Sequence, residues 1–170
     1  MVPETSPYAA IYPLSANPPT WGHADIVSRA AKIFDKVYWS VAFNPDKKYL
    51  FSVEERMSMM QVYIDHFQLT NVIPDSYTGS TVRYAQQKQV HVLIKGLRNY
   101  SDFQQEFQQA VGNKGIDEKM ETFCLFGAPG LTVVSSSLVR ELAFLGEDIT
   151  PYVHPAVAQR VSEIIHHSKT

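Results

Sequence analysis

Two hydrophobic periods alternate along this chain. Short unbroken apolar runs, the mark of strands covered on both faces, are separated by stretches whose apolar residues recur three or four apart, the mark of amphipathic helices. Tyr8 to Tyr12 is the first run, and a loop rich in Pro, Asn and Thr follows it. Ile26, Ala30, Ile33 and Phe34 then share one helical face. Val37 to Phe43 is a second strand, closed by the turn Asn44 to Lys48. Ser52-Val53-Glu54-Glu55 is a capping box opening a helix with Val53, Met57, Met60, Ile64 and Phe67 on one face, and this Met row at core spacing reads as packing. Asn71 to Pro74 predicts a third strand, Gly79 to Lys88 a helix facing inward with Val82 and Ala85, and Val90 to Ile94 a fourth strand.

Residues 101 to 111 predict a helix with Phe103, Phe107 and Ala110 on one side, interrupted by Gly112 and Gly115. Glu121 to Phe126 is a fifth strand, Gly127 to Val134 a loop, and Ser135-Ser136-Ser137 leads into a helix with Leu138, Leu142 and Leu145. Asp148 to His154 connects to a last helix opened by Pro155 and reaching about Ile165. Residues 1 to 7 and 166 to 170 read as loose tails of one domain spanning 1 to 170. Five strands alternating with helices predict an α/β fold, a doubly wound five-stranded parallel sheet with right-handed crossovers. Ligands of such sheets bind outside the carboxyl ends of the strands. The polar, aperiodic clusters fall there: Ser15 to His23, Asn44 to Lys48, Asp75 to Thr81, Lys95 to Asn99 and Gly127 to Ser137.

Composition narrows what such an edge can do. The 170 residues carry a net charge of −2, so no global field draws nucleic acid or an anionic membrane, and an anion site must be local. The single cysteine, Cys124, excludes an internal disulfide and a cysteine metal cage, predicts a cytoplasmic setting, and reads as a buried filler within its apolar run. No apolar stretch approaches a membrane span, and the N-terminus lacks the basic and apolar regions of a signal peptide. His91, His154, His166 and His167 show no metal-ligand spacing.

The predicted edge gathers Lys47, Lys48, Lys95 and Arg98 with His23 and the serine run at a helix start. A helix N-terminus offers free N–H groups and a positive dipole end to phosphate. The chain has no nucleophile elbow, no P-loop and no Gly-x-Gly-x-x-Gly fingerprint. Cations and helix starts without a nucleophile suit phosphoryl or nucleotidyl transfer, in which the substrate brings the attacking oxygen.

The strand ending in N-P-P-T-W-G-H resembles the nucleotidylyltransferase superfamily, whose signature is H-x-G-H or T-x-G-H. F-N-P-D-K-K-Y-L-F-S-V-E-E-R (Phe43 to Arg56), V-L-I-K-G-L-R-N-Y-S-D-F-Q-Q-E (Val92 to Glu106) and V-S-S-S-L-V-R-E-L (Val134 to Leu142) with G-E-D-I-T-P-Y-V-H-P-A-V are collinear with blocks of the phosphopantetheine adenylyltransferase family. The resemblance runs from about Ala10 to Val161 and implies a Rossmann-like nucleotidylyltransferase fold. It implies transfer from ATP to 4′-phosphopantetheine, giving dephospho-coenzyme A and pyrophosphate, with Mg²⁺ as cofactor. By the same resemblance the protein is a homo-oligomer, a hexamer in the family, and coenzyme A inhibits it.

Residue by residue, the resemblance puts Thr20, Gly22 and His23 at the ATP phosphates, with His23 stabilising transition-state charge. It places Lys47 between the reacting phosphates, Arg98 on the outer ATP phosphates, Glu106 on the nucleotide side, and Ser135, Ser136 and Ser137 as donors to the triphosphate. Ser15 and Lys95 would hold the acceptor's phosphate, Ser15 also facing ATP, with Asn17 on the acceptor side and Gly79, Ser80 and Thr81 along the pantetheine arm.

The first loop departs from the family's P-G-[TS]-F-D-P: Leu14 stands for glycine, Ala16 for Phe and Asn17 for Asp. Lys95 stands for Arg, a point charge for a bidentate fork. Gly112, Asn113 and Gly115 sit where the family continues a helix. Two other readings follow: a nucleotidylyltransferase for nicotinate or nicotinamide mononucleotide, whose first loop N-P-P-T-x-G-H also resembles this one, and a non-catalytic homologue binding nucleotide or coenzyme A.

Overall fold

A computed structural model describes residues 8–168. The expected loose tail at residues 1 to 7, and residues 169 and 170 of the other, lie outside the described residues; residues 166 to 168 belong to the last helix. Five parallel strands form one sheet: β1 (Ala9–Leu14), β2 (Lys36–Phe43), β3 (Val72–Thr78), β4 (Val92–Leu97) and β5 (Glu121–Phe126), in the order β3-β2-β1-β4-β5. Helices α1 (Trp21–Ala30), α2 (Val53–His66), α3 (Thr81–Lys88), α4 (Tyr100–Ile116), α5 (Ser136–Leu145) and α6 (Pro155–Ser168) complete the fold.

The expected doubly wound sheet is therefore present, and the period of two explains how it is covered. Ala10 and Tyr12 of β1 enter one core with Ala24, Val27, Met60 and Val157 from α1, α2 and α6, whereas Ala9 and Ile11 point to a second core with Val82 and Ala85 of α3. The chain winds outward from β1 to β3 and then restarts at β4 on the other side of β1. Ile11 and Leu93 are the registered pair between β1 and β4, so the two strands stay together near their starts and leave a crevice at their carboxyl ends.

The predicted capping box closes α2: Ser52 Oγ accepts from Glu55 N at 3.1 Å, and Ser52 N donates to Glu55 Oε2 at 2.8 Å. Other expectations need correction. The first helix stops at Ala30, leaving Ile33 half exposed in the following turn. β3 runs on to Thr78 rather than ending at Pro74, because an edge strand tolerates a residue without an N–H. β4 takes in Lys95, Gly96 and Leu97, which the sequence pattern placed after it. α4 continues through Gly112 and Gly115 to Ile116; both glycines face open space, and each costs about 1 kcal/mol against alanine without breaking the helix. Phe103 and Phe107 are exposed on that helix. Cys124 is exposed on the edge strand β5 and is no core filler.

Candidate active site

The loop from Pro13 to Thr20 contains three residues that cannot donate a backbone N–H, so its carbonyls find partners elsewhere. Arg56 Nη1 donates to Ser15 O at 2.8 Å, Arg140 Nη1 to Asn17 O, Ser136 Oγ to Pro18 O at 2.7 Å, and Tyr63 Oη to Pro19 O at 3.2 Å. Asn17 Oδ1 accepts from Phe51 N at 3.2 Å, tying this loop to the one after β2. These bonds hold Ala16 at φ 49°, a left-handed conformation that costs a residue with a Cβ about 1–2 kcal/mol. Leu14 is the last residue of β1 and is absent from the positive-φ positions, so the backbone there accepts leucine; its side chain lines the cleft and packs on the core.

At the start of α1, Thr20 is the N-cap and His23 takes the place of the capping-box acid. Thr20 N donates to His23 Nδ1 at 3.1 Å. Nδ1 is thus an acceptor, and the neutral ring carries its proton on Nε2. Burial, and then the charge of Arg98, lower the pKa of His23 to about 4, so at neutral pH it is an uncharged donor. Thr20 itself is wholly buried, its Oγ1 lying 3.2 Å from His23 Nδ1 and accepting from His23 N at 3.4 Å.

β4 delivers two further cations to the cleft. Gly96 admits close approach, because a Cβ there would meet Ile26 Cγ1 of α1 at 3.0 Å. Lys95 Nζ lies 2.8 Å from Glu106 Oε2 and 3.1 Å from Gln109 Oε1. Arg98 is gripped by Asp102, with Nε to Oδ2 at 2.9 Å and Nη2 to Oδ1 at 3.2 Å, and its Nη1 reaches Val134 O at 3.4 Å. Ser135 caps α5, its Oγ accepting from Leu138 N at 3.1 Å; Ser136 holds Pro18, and Ser137 Oγ accepts from Arg140 Nη2 at 3.2 Å. The hydroxyls are engaged within the protein, and the backbone amides of Ser136 and Ser137 begin the helix.

These walls enclose a cleft of about 700 Å³ at the carboxyl ends of the strands. It brings together Ser15, Asn17, Gly22, His23, Lys47, Gly79, Thr81, Lys95, Arg98, Glu106 and Ser135 to Ser137, so the predicted loops do meet. Thr20 and Ser80 do not line it; Ser80 caps α3 beside a smaller depression behind the cleft. Five cationic side chains line it (Lys47, Lys48, Lys95, Arg98, Arg140) against one carboxylate, Glu106. A local positive field thus stands within a chain of net charge −2. Lys47 and Lys48 sit on the exposed turn after β2, and neither ammonium group has a partner among the described residues. Among those residues no group of three or more His, Cys, Asp or Glu could hold a metal ion, and no helix is long and apolar enough to cross a membrane.

Comparison with known proteins agrees with this geometry. Residues 11–142 match the cytidylyltransferase-like family model. The chain is 40% identical over 154 residues to the phosphopantetheine adenylyltransferase of Heliobacterium modesticaldum, covering 91% of this chain and 90% of that one. It is 44% identical over 154 residues to the enzyme of the same name from Synechococcus sp. strain JA-3-3Ab, covering 91% and 96%. The chain belongs to the phosphopantetheine adenylyltransferase family. Among solved structures it is similar to the Plasmodium falciparum nicotinic acid mononucleotide adenylyltransferase complexed with NaAD, with a TM-score of 0.66 at 17% identity over 94% of this chain and 95% of that one, a likeness of fold alone.

Within this family fold the motif reading overlooked Arg140, which lines the cleft and bridges Ser137 to the first loop, and Arg56, which is buried behind it. Arg56, Met60 and Tyr63 recur at the same spacing as the buried face of α2, and a cation in that row was the available signal.

Proposed function

We propose that this chain transfers the adenylyl group of ATP to 4′-phosphopantetheine, releasing pyrophosphate and dephospho-coenzyme A. One observation carries the chemistry: a cationic cleft at the switch point of the sheet presents a fixed neutral N–H donor, His23 Nε2, and contains no acid–base pair or activated nucleophile. An anionic oxygen of the acceptor's phosphate attacks the α-phosphorus, the bond from that phosphorus to the oxygen bridging the α- and β-phosphates breaks, and pyrophosphate leaves with the electron pair. No proton has to be removed from the attacking group, which is why positioning and charge suffice.

In this reading His23 donates to the charge growing on the α-phosphate, with Thr20 holding its ring. Lys47 spans the two reacting phosphates, and its free ammonium suits that role. Arg98 and the amides at the start of α5 receive the outer phosphates, Gly22 lets the nucleotide lie close to α1, and Glu106 faces the nucleotide. Ser15 and Lys95 receive the acceptor's phosphate, Asn17 shapes that end through Phe51, and Gly79 and Thr81 border the arm, with Ser80 behind them as the cap of α3. The cleft's carboxylate is already bound to Lys95 and the described residues hold no acidic cluster, so these residues do not fit a protein-held metal. Mg²⁺ enters as part of the substrate, Mg-ATP, and no step is routed through it.

The exposed apolar face of α4 and β5, with Phe103, Phe107, Val111, Ile116 and Phe126, supports a homo-oligomer, a hexamer by family likeness. Coenzyme A, which contains the phosphopantetheine arm, is the expected inhibitor, and the setting is cytoplasmic. Pyrophosphate release from Mg-ATP, measured in parallel with 4′-phosphopantetheine, nicotinate mononucleotide and nicotinamide mononucleotide, tests the reading. Release with 4′-phosphopantetheine alone is expected; release only with a mononucleotide, or with none of the three, would overturn it.

A further inference from the structure

Arg56 is wholly buried at the end of the first turn of α2, and it takes part in none of the ion pairs among the described residues. Its Nε donates to Ser52 O at 3.2 Å and its Nη1 to Ser15 O at 2.8 Å, while Nη2 is buried with no hydrogen-bond partner. The guanidinium carbon lies 4.2 Å from the centroid of the Tyr49 ring and 5.9 Å from that of Phe43. Tyr49 Oη in turn accepts from Asn44 N at 3.2 Å. One planar group therefore joins three pieces of chain: the first loop at Ser15, the cap of α2, and the loop after β2 that carries Lys47.

Burying a guanidinium without a carboxylate costs several kcal/mol, and a methionine of similar reach would fill the same space at lower cost. Packing thus does not account for an arginine here. What only arginine supplies is a rigid fork whose edge holds two carbonyls while its face holds a ring. Ser15, Phe43, Asn44, Lys47 and Tyr49 all line the cleft, on the bank opposite Arg98 and α5.

We propose that Arg56 is a positioning residue for the acceptor end of the cleft: its guanidinium sets the spacing between Ser15 and the Lys47 turn, and its charge, in direct contact with no carboxylate among the described residues, stands behind Ser15 where the acceptor's phosphate arrives. The acceptor's identity rests on the functional reading above; the spacing does not.

The test compares the full chain with Arg56→Met, Arg56→Lys and Tyr49→Leu by steady-state kinetics, varying 4′-phosphopantetheine and ATP separately, with thermal melts alongside. Arg56→Met is expected to raise the acceptor KM about tenfold or more and to move the ATP KM by less than about threefold. Arg56→Lys, which keeps the charge and loses the fork, should recover only part of that, and Tyr49→Leu should act in the same direction with a smaller effect. A folded Arg56→Met protein with an unchanged acceptor KM, an equal rise of both KM values, or wild-type kinetics in Arg56→Lys would each overturn the proposal. If the Arg56 variants do not fold, Tyr49→Leu decides: an unchanged acceptor KM refutes it. Should the wild-type protein release no pyrophosphate with 4′-phosphopantetheine, the functional reading fails on its own. Positioning is then read from inorganic phosphate titrated into ¹⁵N-labelled protein. The Ser15 and Lys47 amides should respond about tenfold more weakly in Arg56→Met than in wild type, and equal responses would overturn the proposal.

Discussion

On the bank of the cleft formed by α1, Arg98 and the start of α5 the polar side chains are tied to protein: His23 to Thr20, Arg98 to Asp102, Ser135 to the start of α5 and Ser136 to Pro18. Across the cleft Lys47 and Lys48 stand on an exposed turn, with no partner for either ammonium group among the described residues, and the order lies one layer deeper, at Arg56 and Asn17. The first bank has its donors aimed before any ligand arrives, which is the condition for electrostatic stabilisation of a transition state. The second leaves its leading cation exposed and holds the backbone beneath it. Changes on the first bank should therefore cost turnover, and changes on the second should cost recognition of the acceptor.

The largest effect should come from His23→Ala. Losing a fixed donor at the reacting phosphate is expected to lower kcat roughly 10²- to 10³-fold while ATP affinity, read by calorimetry, largely survives. A parallel collapse of ATP binding would show that the ring holds ground-state nucleotide and would erase the contrast between the banks. Lys47→Ala should come next, lowering kcat/KM for the acceptor roughly 10- to 100-fold with an unchanged melting temperature, because the side chain is exposed and has no partner among the described residues. A loss of stability there would mean that the turn is as tightly built as the opposite bank.

His23 also gives a pH signature. Its folded pKa of about 4 lies below the ordinary 6.5, so between those values the unfolded chain binds a proton that the folded chain does not. Its contribution to stability is complete above pH 6.5 and is lost as pH falls toward 4, by about 3 kcal/mol at most. Activity should be insensitive to this group from pH 6 to 8. NMR titration of the His23 ring should show a pKa near 4 without ligand and a higher one with ATP, whose phosphates favour the charged form; a free-protein value near 6.5 would mean that the ring is solvated. The smallest effect is expected from Lys95→Arg. A fork can keep Glu106 and still reach a phosphate, so the acceptor KM should fall a few-fold, and a rise would show that the cleft is shaped for lysine.

How much of this could be read beforehand varies by element. The alternation of apolar runs and helical stretches marked all five strands: β1, β2 and β4 lie inside the sheet and are largely apolar for that reason, whereas β3 and β5 are edges with exposed positions and were legible only as short apolar runs. The convergence of Ser15 to His23, Asn44 to Lys48, Lys95 to Asn99 and the serine run was legible for the same reason: aperiodic polar clusters after strands have one edge to occupy. The capping box at Ser52 is a local contract between neighbours and was equally plain. α4 was cut short because Gly112 and Gly115 carry a breaker's reputation, while the actual cost at open positions is small. Cys124 was misplaced because an apolar run says that a strand is there but not that it lies at the sheet's edge.

The sequence by itself determined the strand–helix order, the family blocks and the residues available for phosphate chemistry, since each depends on local periodicity or on neighbours within a turn. Only the tertiary structure decided which partner each of those residues takes. That Thr20 turns inward to hold His23, that Lys95 is bound to Glu106, and that a buried arginine joins the first loop to the second follow from chain segments meeting in space. A hydrogen bond between residues 41 positions apart, such as Arg56 to Ser15, leaves no period in the sequence to be read.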